Sequence, residues 1–215
     1  MTLANVQRGT GREAMIEEAA KVLRAGQELR VLDIAKAAGV SHSLIYRHFP
    51  QGGREELIAE AYARIFRAHV SEDLAAFAKF SSEPAEMRRQ LQALFEGILA
   101  RERAEDRWAR LESLAQGRTN PHIEARINAT KEELLGEMAR LMMALPRWQL
   151  SETQAVAFST LMLSLPLGLT PLVEPHATPA QRTAIAAVWT TMVLVTVAAL
   201  DEQSGENNEQ SGESH

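Results

Sequence analysis

IAKAAGVSHSLIYRHF, residues 34–49, holds two short helical patterns joined by a tight turn. Ile34, Ala35 and Ala38 recur as one face of an amphipathic helix. Gly39 stands where that helix must stop, since glycine takes the left-handed C-terminal conformation at no steric cost. Val40 is placed to pack beneath the turn. Ser41 is positioned to cap the next helix through its hydroxyl. Ile45 and Phe49, four apart, face inward. His42, Ser43, Tyr46 and Arg47 are left on the opposite side. Two helices joined in this way form a helix-turn-helix, whose second helix enters the DNA major groove. The outward face supplies donors and acceptors for base edges, with a tyrosine and an arginine for phosphates.

With its flanks, this stretch resembles the TetR family of transcriptional regulators. The resemblance is carried by Ile34-Ala35, Ala38-Gly39-Val40-Ser41 and Ile45-Tyr46-Arg47-His48-Phe49-Pro50, then Glu55-Glu56-Leu57. It covers about the first quarter of the chain, and beyond it only the helical pattern and the length agree. It implies an all-α homodimer that binds a double-stranded DNA operator, with a small-molecule pocket between the middle helices. His42, Ser43 and Leu44 stand at the positions that touch bases, and Tyr46 and His48 at those that touch phosphate. Ser41 serves as cap and phosphate donor. The chain departs from the family pattern in two places. Helix 2 starts at Arg30-Val31 rather than at a serine or threonine, and the Pro50-Gln51-Gly52-Gly53 loop is longer. Arg54 replaces the usual lysine, where it can hold a phosphate at a helix N-terminus.

Charge is segregated. The whole chain is at −5, yet residues 1–54 carry eight Lys/Arg against five Asp/Glu. Residues 55–200 carry fifteen against eighteen, and the tail from Asp201 carries five acids and no base. A basic head on an acidic body directs the head at phosphate. The absence of cysteine rules out disulfide and thiolate chemistry and fits a cytoplasmic protein. Met1 to Gly11 is polar and lacks the apolar core of a signal peptide.

Composition and period predict helices throughout, about nine of them. Met1–Gly9 reads as a disordered arm. Thr10 and Glu13 read as a capping box that opens helix 1, although Gly9 to Ala14 also fits GxGxxA. That dinucleotide fingerprint needs a preceding strand, and none is visible. A long fourth helix is expected over 54–80, then one capped by Ser81 or Ser82 and running to about Arg103. Others follow at 105–116, at 121–145 with Pro146 as its stop, at Ser151 to Val173 with bends at Pro166 and Pro171, and from Pro179 to about Leu200. Asp201 to His215 is too polar to order itself.

Residues 153–173 and 183–200 carry no charged residue. Their length suits a membrane span, but prolines, hydroxyls and the lack of an aromatic belt favour a buried helix pair. That pair would meet its counterpart in a second subunit, giving a homodimer through about 151–200 and no membrane partner. The domain reading is a DNA-binding head at 1–54, a ligand and dimer body at 55–200, and a disordered acidic tail at 201–215. Phe95, Trp108, Met138, Met142 and Phe158 are candidates to line a ligand pocket, and core packing accounts for each equally well. The six histidines form no metal-binding pattern and no nucleophile motif appears, so neither cofactor, metal nor catalysis is expected. The functional expectation is a ligand-released dimeric repressor. The alternative is a regulator that acts constitutively or answers to a protein.

Overall fold

The computed structural model describes the backbone of residues 3–145 and 148–212 and the side chains of 11–145 and 148–200. The all-α expectation holds, and among the described residues no strand occurs. The helices are α1 (Leu3–Arg24), α2 (Val31–Ala37), α3 (Ile45–His48), α4 (Arg54–Arg67), α5 (Val70–Phe77), α6 (Pro84–Leu99), α7 (Ala104–Gly117), α8 (Pro121–Ala144), α9 (Glu152–Val173) and α10 (Pro179–Gly212). Short 3-10 turns at His42–Leu44 and Arg101–Arg103 lead into α3 and α7. The chain forms two compact units, residues 1–68 with 105–132, and 69–104 with 133–215.

In the first unit α1 packs on α4, α2 and α3. Met15, Ile16, Ala19 and Ala20 of α1 are buried, as are Ile34, Ile45, Phe49, Leu57, Ala61 and Ile65. Each fully buried Leu, Ile, Met or Phe side chain contributes about 1.5–3 kcal/mol over exposure. Arg12 lies over the Phe49 ring at 5.1 Å and also pairs with Glu60 at 2.9 Å. Glu60 receives a second guanidinium, Arg126 of α8, at 3.1 Å. Asn120, which caps α8, donates from Nδ2 to Glu55 at 2.7 Å.

Burial pushes the Glu60 carboxyl up, but hydrogen bonds from Arg12 and Arg126, with their charges, outweigh it and its pKa is lowered. A folded-state pKa below the unfolded one gives stability that is full above the unfolded value, about 4.3, and is lost as pH falls through the folded one. Thermal unfolding followed from pH 7 down to 3 should therefore show acid destabilisation that is shallower in Glu60→Gln. Equal slopes in the two proteins would remove this assignment.

In the second unit a continuous core joins α5, α6, the end of α8, α9 and α10. Phe95 stacks on Trp189 with centroids 3.9 Å apart, while Trp148 meets both Phe77 and Phe158. Arg182 of α10 makes a two-pronged pair with Glu174, at 2.7 and 2.9 Å, and donates to the Leu99 carbonyl at 2.9 Å.

Several sequence expectations are corrected. Helix α1 begins at Leu3 and continues through Gly9 and Gly11, so the expected disordered arm is helical from residue 3 onward. The Thr10 side chain, half of the expected capping box, lies outside the described residues, as does Arg8; Glu13 pairs with Arg64 instead. The long fourth helix is two, α4 and α5, because His69 takes a left-handed conformation (φ 61°) between them. Histidine is among the residues that tolerate it, and its Nδ1 lies 3.0 Å from Glu72 Oε2. Glu83, not Ser81 or Ser82, caps α6, accepting from the Ala85 and Glu86 amides with Pro84 in the first turn. That helix ends at Leu99 rather than near Arg103.

The expected α8 stop, Pro146, lies outside the described residues. Helix α9 opens on the expected Ser151 cap, in a capping box with Gln154, and runs through both Pro166 and Pro171. α10 continues past its apolar pattern, which ends near Leu200, so the tail expected to be disordered from Asp201 is helical through Gly212. Both α9 and α10 are long and apolar enough to cross a membrane by length and composition.

Candidate nucleic-acid interface and ligand cavity

The turn at residues 38–40 is closed by backbone alone. Val40 N–H donates to Ala35 O at 2.9 Å and Gly39 N–H to Lys36 O at 3.2 Å, with Gly39 at φ 68°. This is the closure that a left-handed glycine permits after a helix. Helix α2 starts at Arg30 without a side-chain cap, as expected; the Arg30 carbonyl receives the Asp33 and Ile34 amides. Ser41 differs from expectation. Its hydroxyl caps nothing and lies 2.9 Å from the Ser43 hydroxyl, while its carbonyl accepts from Leu44 N–H.

The 3-10 turn and α3 sort the named residues into two groups. Ser41, His42, Ser43, Tyr46 and Arg47 are exposed, and Leu44 is half-buried. His48 is buried at 7 %, and its ring faces Gly11 of α1. A methyl group on Gly11 would stand 3.2 Å from His48 Cε1. His48 therefore packs α3 against α1. Arg54, half exposed, pairs with Glu55 at 2.8 Å and reaches the Leu29 carbonyl at 3.4 Å.

Glu56 and Gly53, read from the sequence only as part of a helix start and of a loop, hold this face together. Glu56 Oε2 accepts from the Gln51 and Gly52 amides, at 2.8 and 3.2 Å, and so closes the long loop. Gly53 adopts φ 54°, ψ −115°, and Tyr46 lies across it. An added Cβ would fall 2.6 Å from Tyr46 Cε1. Tyr46 is 75 % exposed, yet one side of its ring is fixed by this glycine. Gly53→Ala should displace the Tyr46 ring and cost about 1–3 kcal/mol of stability from backbone strain. Thermal unfolding and DNA titration of the variant check both effects, and an unchanged DNA affinity would separate Tyr46 from binding.

The second unit contains an apolar cavity of about 60 Å³. Phe95, Met138, Met142 and Phe158 all line it, together with Phe77, Trp148 and Met162, which the sequence reading did not include. Trp108 does not. It lies in the first unit, 45 % exposed, on an open polar cleft with Glu105 and Glu112. Asp73 is the one charged residue of the cavity wall among the described residues, and Arg103 pairs with it at 2.7 Å.

Residues 16–61 match the sequence model of the bacterial regulatory proteins, tetR family. This segment is similar to the DNA-binding region of the TetR family of transcriptional regulators. The fold of the chain is also that of two solved structures. A Rhodococcus sp. protein assigned as a TetR-family transcriptional regulator superposes with a TM-score of 0.67 at 20 % identity, over 86 % of this chain and 98 % of that one. A Pseudomonas aeruginosa PAO1 protein assigned as a transcriptional regulator gives 0.57 at 22 %, over 88 % and 93 %. No curated protein matches.

The matched segment contains every residue of the TetR-type turn and of α3, together with the 50–53 loop. The longer loop leaves this head ordered because Glu56 replaces the missing backbone partners of residues 51 and 52. Glu56 was legible only as part of Glu-Glu-Leu. Its role depends on the loop folding back over the first turn of α4, which no local pattern announces.

Proposed function

We propose that this regulator is a homodimeric repressor of the TetR family, released from a near-palindromic operator by a small molecule. The observation that carries the DNA reading is the exposed set Ser41, His42, Ser43, Tyr46 and Arg47 on one short helical element inside the matched segment. His42 and Ser43 read base edges; Leu44 meets a thymine methyl; Ser41, Tyr46 and Arg47 hold phosphate. Arg54 adds a phosphate contact at the start of α4. His48 acts from beneath, by fixing α3 on α1. We assign the head to 1–54, the ligand and dimer body to 55–200, and neither role to the acidic tail at 201–215. Function rests on binding, without catalysis, in the cytoplasm where operator DNA is found.

Two heads in a dimer reach successive major grooves about 34–36 Å apart. A ligand that prefers the body in the wrong head spacing releases the operator, since only differential affinity shifts the equilibrium. The cavity around Met138, Met142, Phe95 and Phe158 supports that part of the reading.

Selection of bound duplexes from a random pool by the purified protein, at near-physiological salt, tests the proposal. A two-fold symmetric motif is the expected result. On that duplex Tyr46→Ala and Arg47→Ala should each weaken binding by about 1–3 kcal/mol, roughly 5- to 150-fold, with the fold intact. A flat pool, or normal binding by either variant, would overturn the assignment of this face.

A further inference from the structure

We infer that the body cavity takes a small uncharged, largely hydrocarbon molecule of about one aromatic ring, an inference that rests on the ligand-responsive reading above. Its wall is built from Phe, Leu, Ile, Met, Trp and Val side chains, and Asp73 is the one charged residue in it among the described residues. That carboxylate is engaged: Arg103 Nη1 donates to it at 2.7 Å, and both side chains are largely covered. A cationic ligand would have to compete with Arg103 for that carboxylate. An anion would meet the carboxylate with no cation freed for it. The anion would be desolvated without compensation, and the cation would share a carboxylate that Arg103 already neutralises, so in each case desolvation costs more than contact with apolar walls returns.

Nor does the wall leave a spare hydroxyl beside Met142. Ser159 Oγ, 3.6 Å from Met142 Sδ, donates to the Ala155 carbonyl of its own helix at 2.7 Å. A ligand that needs several hydrogen bonds would find few partners.

The space as it stands is smaller than a ring, and the nature of the wall supplies the difference. The space of about 60 Å³ exceeds the roughly 10–15 Å³ that one water requires. A dry apolar cavity of about 150 Å³ holds benzene. Three methionines, Met138, Met142 and Met162, face the space from α8 and α9. Their unbranched, polarisable side chains change rotamer at little cost and can open the missing volume. The rigid pair Trp148 and Phe158, edge-to-face at 6.0 Å, forms a fixed wall for a ring to lie against.

Calorimetric titration of the full-length protein with toluene, benzoate and benzylamine holds the ring constant and changes only the charge. Toluene should bind saturably, one per chain, and both charged compounds at least about 100-fold more weakly. Met138→Phe, which fills the space from a half-buried position, should abolish toluene binding; Leu94→Phe serves if that variant does not fold. Comparable binding of a charged compound, no binding of toluene, or undiminished toluene binding in a folded filled variant would overturn the inference. Binding affinity for the selected duplex is read in parallel. Toluene binding without any change there would reject ligand release while leaving the chemical class of the occupant intact.

Discussion

Arg182→Ala should lower stability by about 3–5 kcal/mol, the effect expected for removing one member of a buried ion pair. The guanidinium is 9 % exposed and Glu174 5 %. It joins three chain segments, the start of α10, the end of α9 and the Leu99 carbonyl at the end of α6. Glu174 first, and Glu102 to a smaller degree, holds the Arg182 guanidinium in its charged form, and its pKa is raised despite burial. Alanine would take the two-pronged guanidinium away from the buried Glu174 carboxylate and this donor away from the Leu99 carbonyl.

At about 2–4 °C per kcal/mol for a chain of this size, the melting temperature should fall by roughly 6–20 °C. The double variant Glu174→Leu with Arg182→Met should lose less than Arg182→Ala alone, because a buried pair replaced by apolar groups is often close to neutral. Thermal and urea unfolding of the three proteins decides this. A single variant as stable as the parent would mean that desolvation already cancels the pair.

The Arg182–Glu174 pair also shows where sequence reading stopped. The two residues are eight apart, on either side of the turn that joins α9 to α10, and nothing in their spacing distinguishes them from surface charges. Only the packing of α6 against α10 buries them. The break between α4 and α5 was hidden for a similar reason. Neither glycine nor proline marks it, and a histidine adopts the conformation that usually signals one of those residues.

The turn at 38–40 was legible because its chemistry is local: a helix end, a glycine and an apolar anchor within a few residues. Ser41 was read as a side-chain cap, but its hydroxyl meets Ser43 instead, since a 3-10 turn rather than an α-helix follows it. Four of five proposed pocket residues surround one cavity, because large apolar residues at helical spacing point to the same core whether or not it is filled. Trp108 failed that logic. It sits on a helix whose buried positions include Arg107 and Arg110, so apolar character did not predict the inward face.

Leu161→Glu combined with Val188→Glu should convert the proposed dimer to monomers and weaken operator binding by at least about 100-fold. The reason begins with exposure. Leu161 is 66 % exposed on α9, and Val188 61 %, Met192 57 % and Val195 62 % on α10. The last three recur at helical spacing and form a stripe. Few soluble monomers leave such contiguous apolar surface in water. Hydroxyls nearby do not make it polar. Thr160, Ser164 and Thr191 each donate to the carbonyl four residues earlier in their own helix, at 2.9, 2.7 and 3.0 Å. The face is thereby free to be buried against an identical one, in the self-complementary manner of a two-fold interface.

Because both side chains are exposed in the single chain, glutamate there should change monomer stability by no more than about 0.5 kcal/mol. At the two-fold interface, however, it would bury like charges together. Loss of the second head removes the gain from linked binding, which is about 10²- to 10⁴-fold. Light scattering after size exclusion, with unfolding and DNA titration on the same sample, separates the outcomes. A folded monomer with weak DNA binding is the expected result. A folded double variant that remains dimeric would place the interface on another surface of the body.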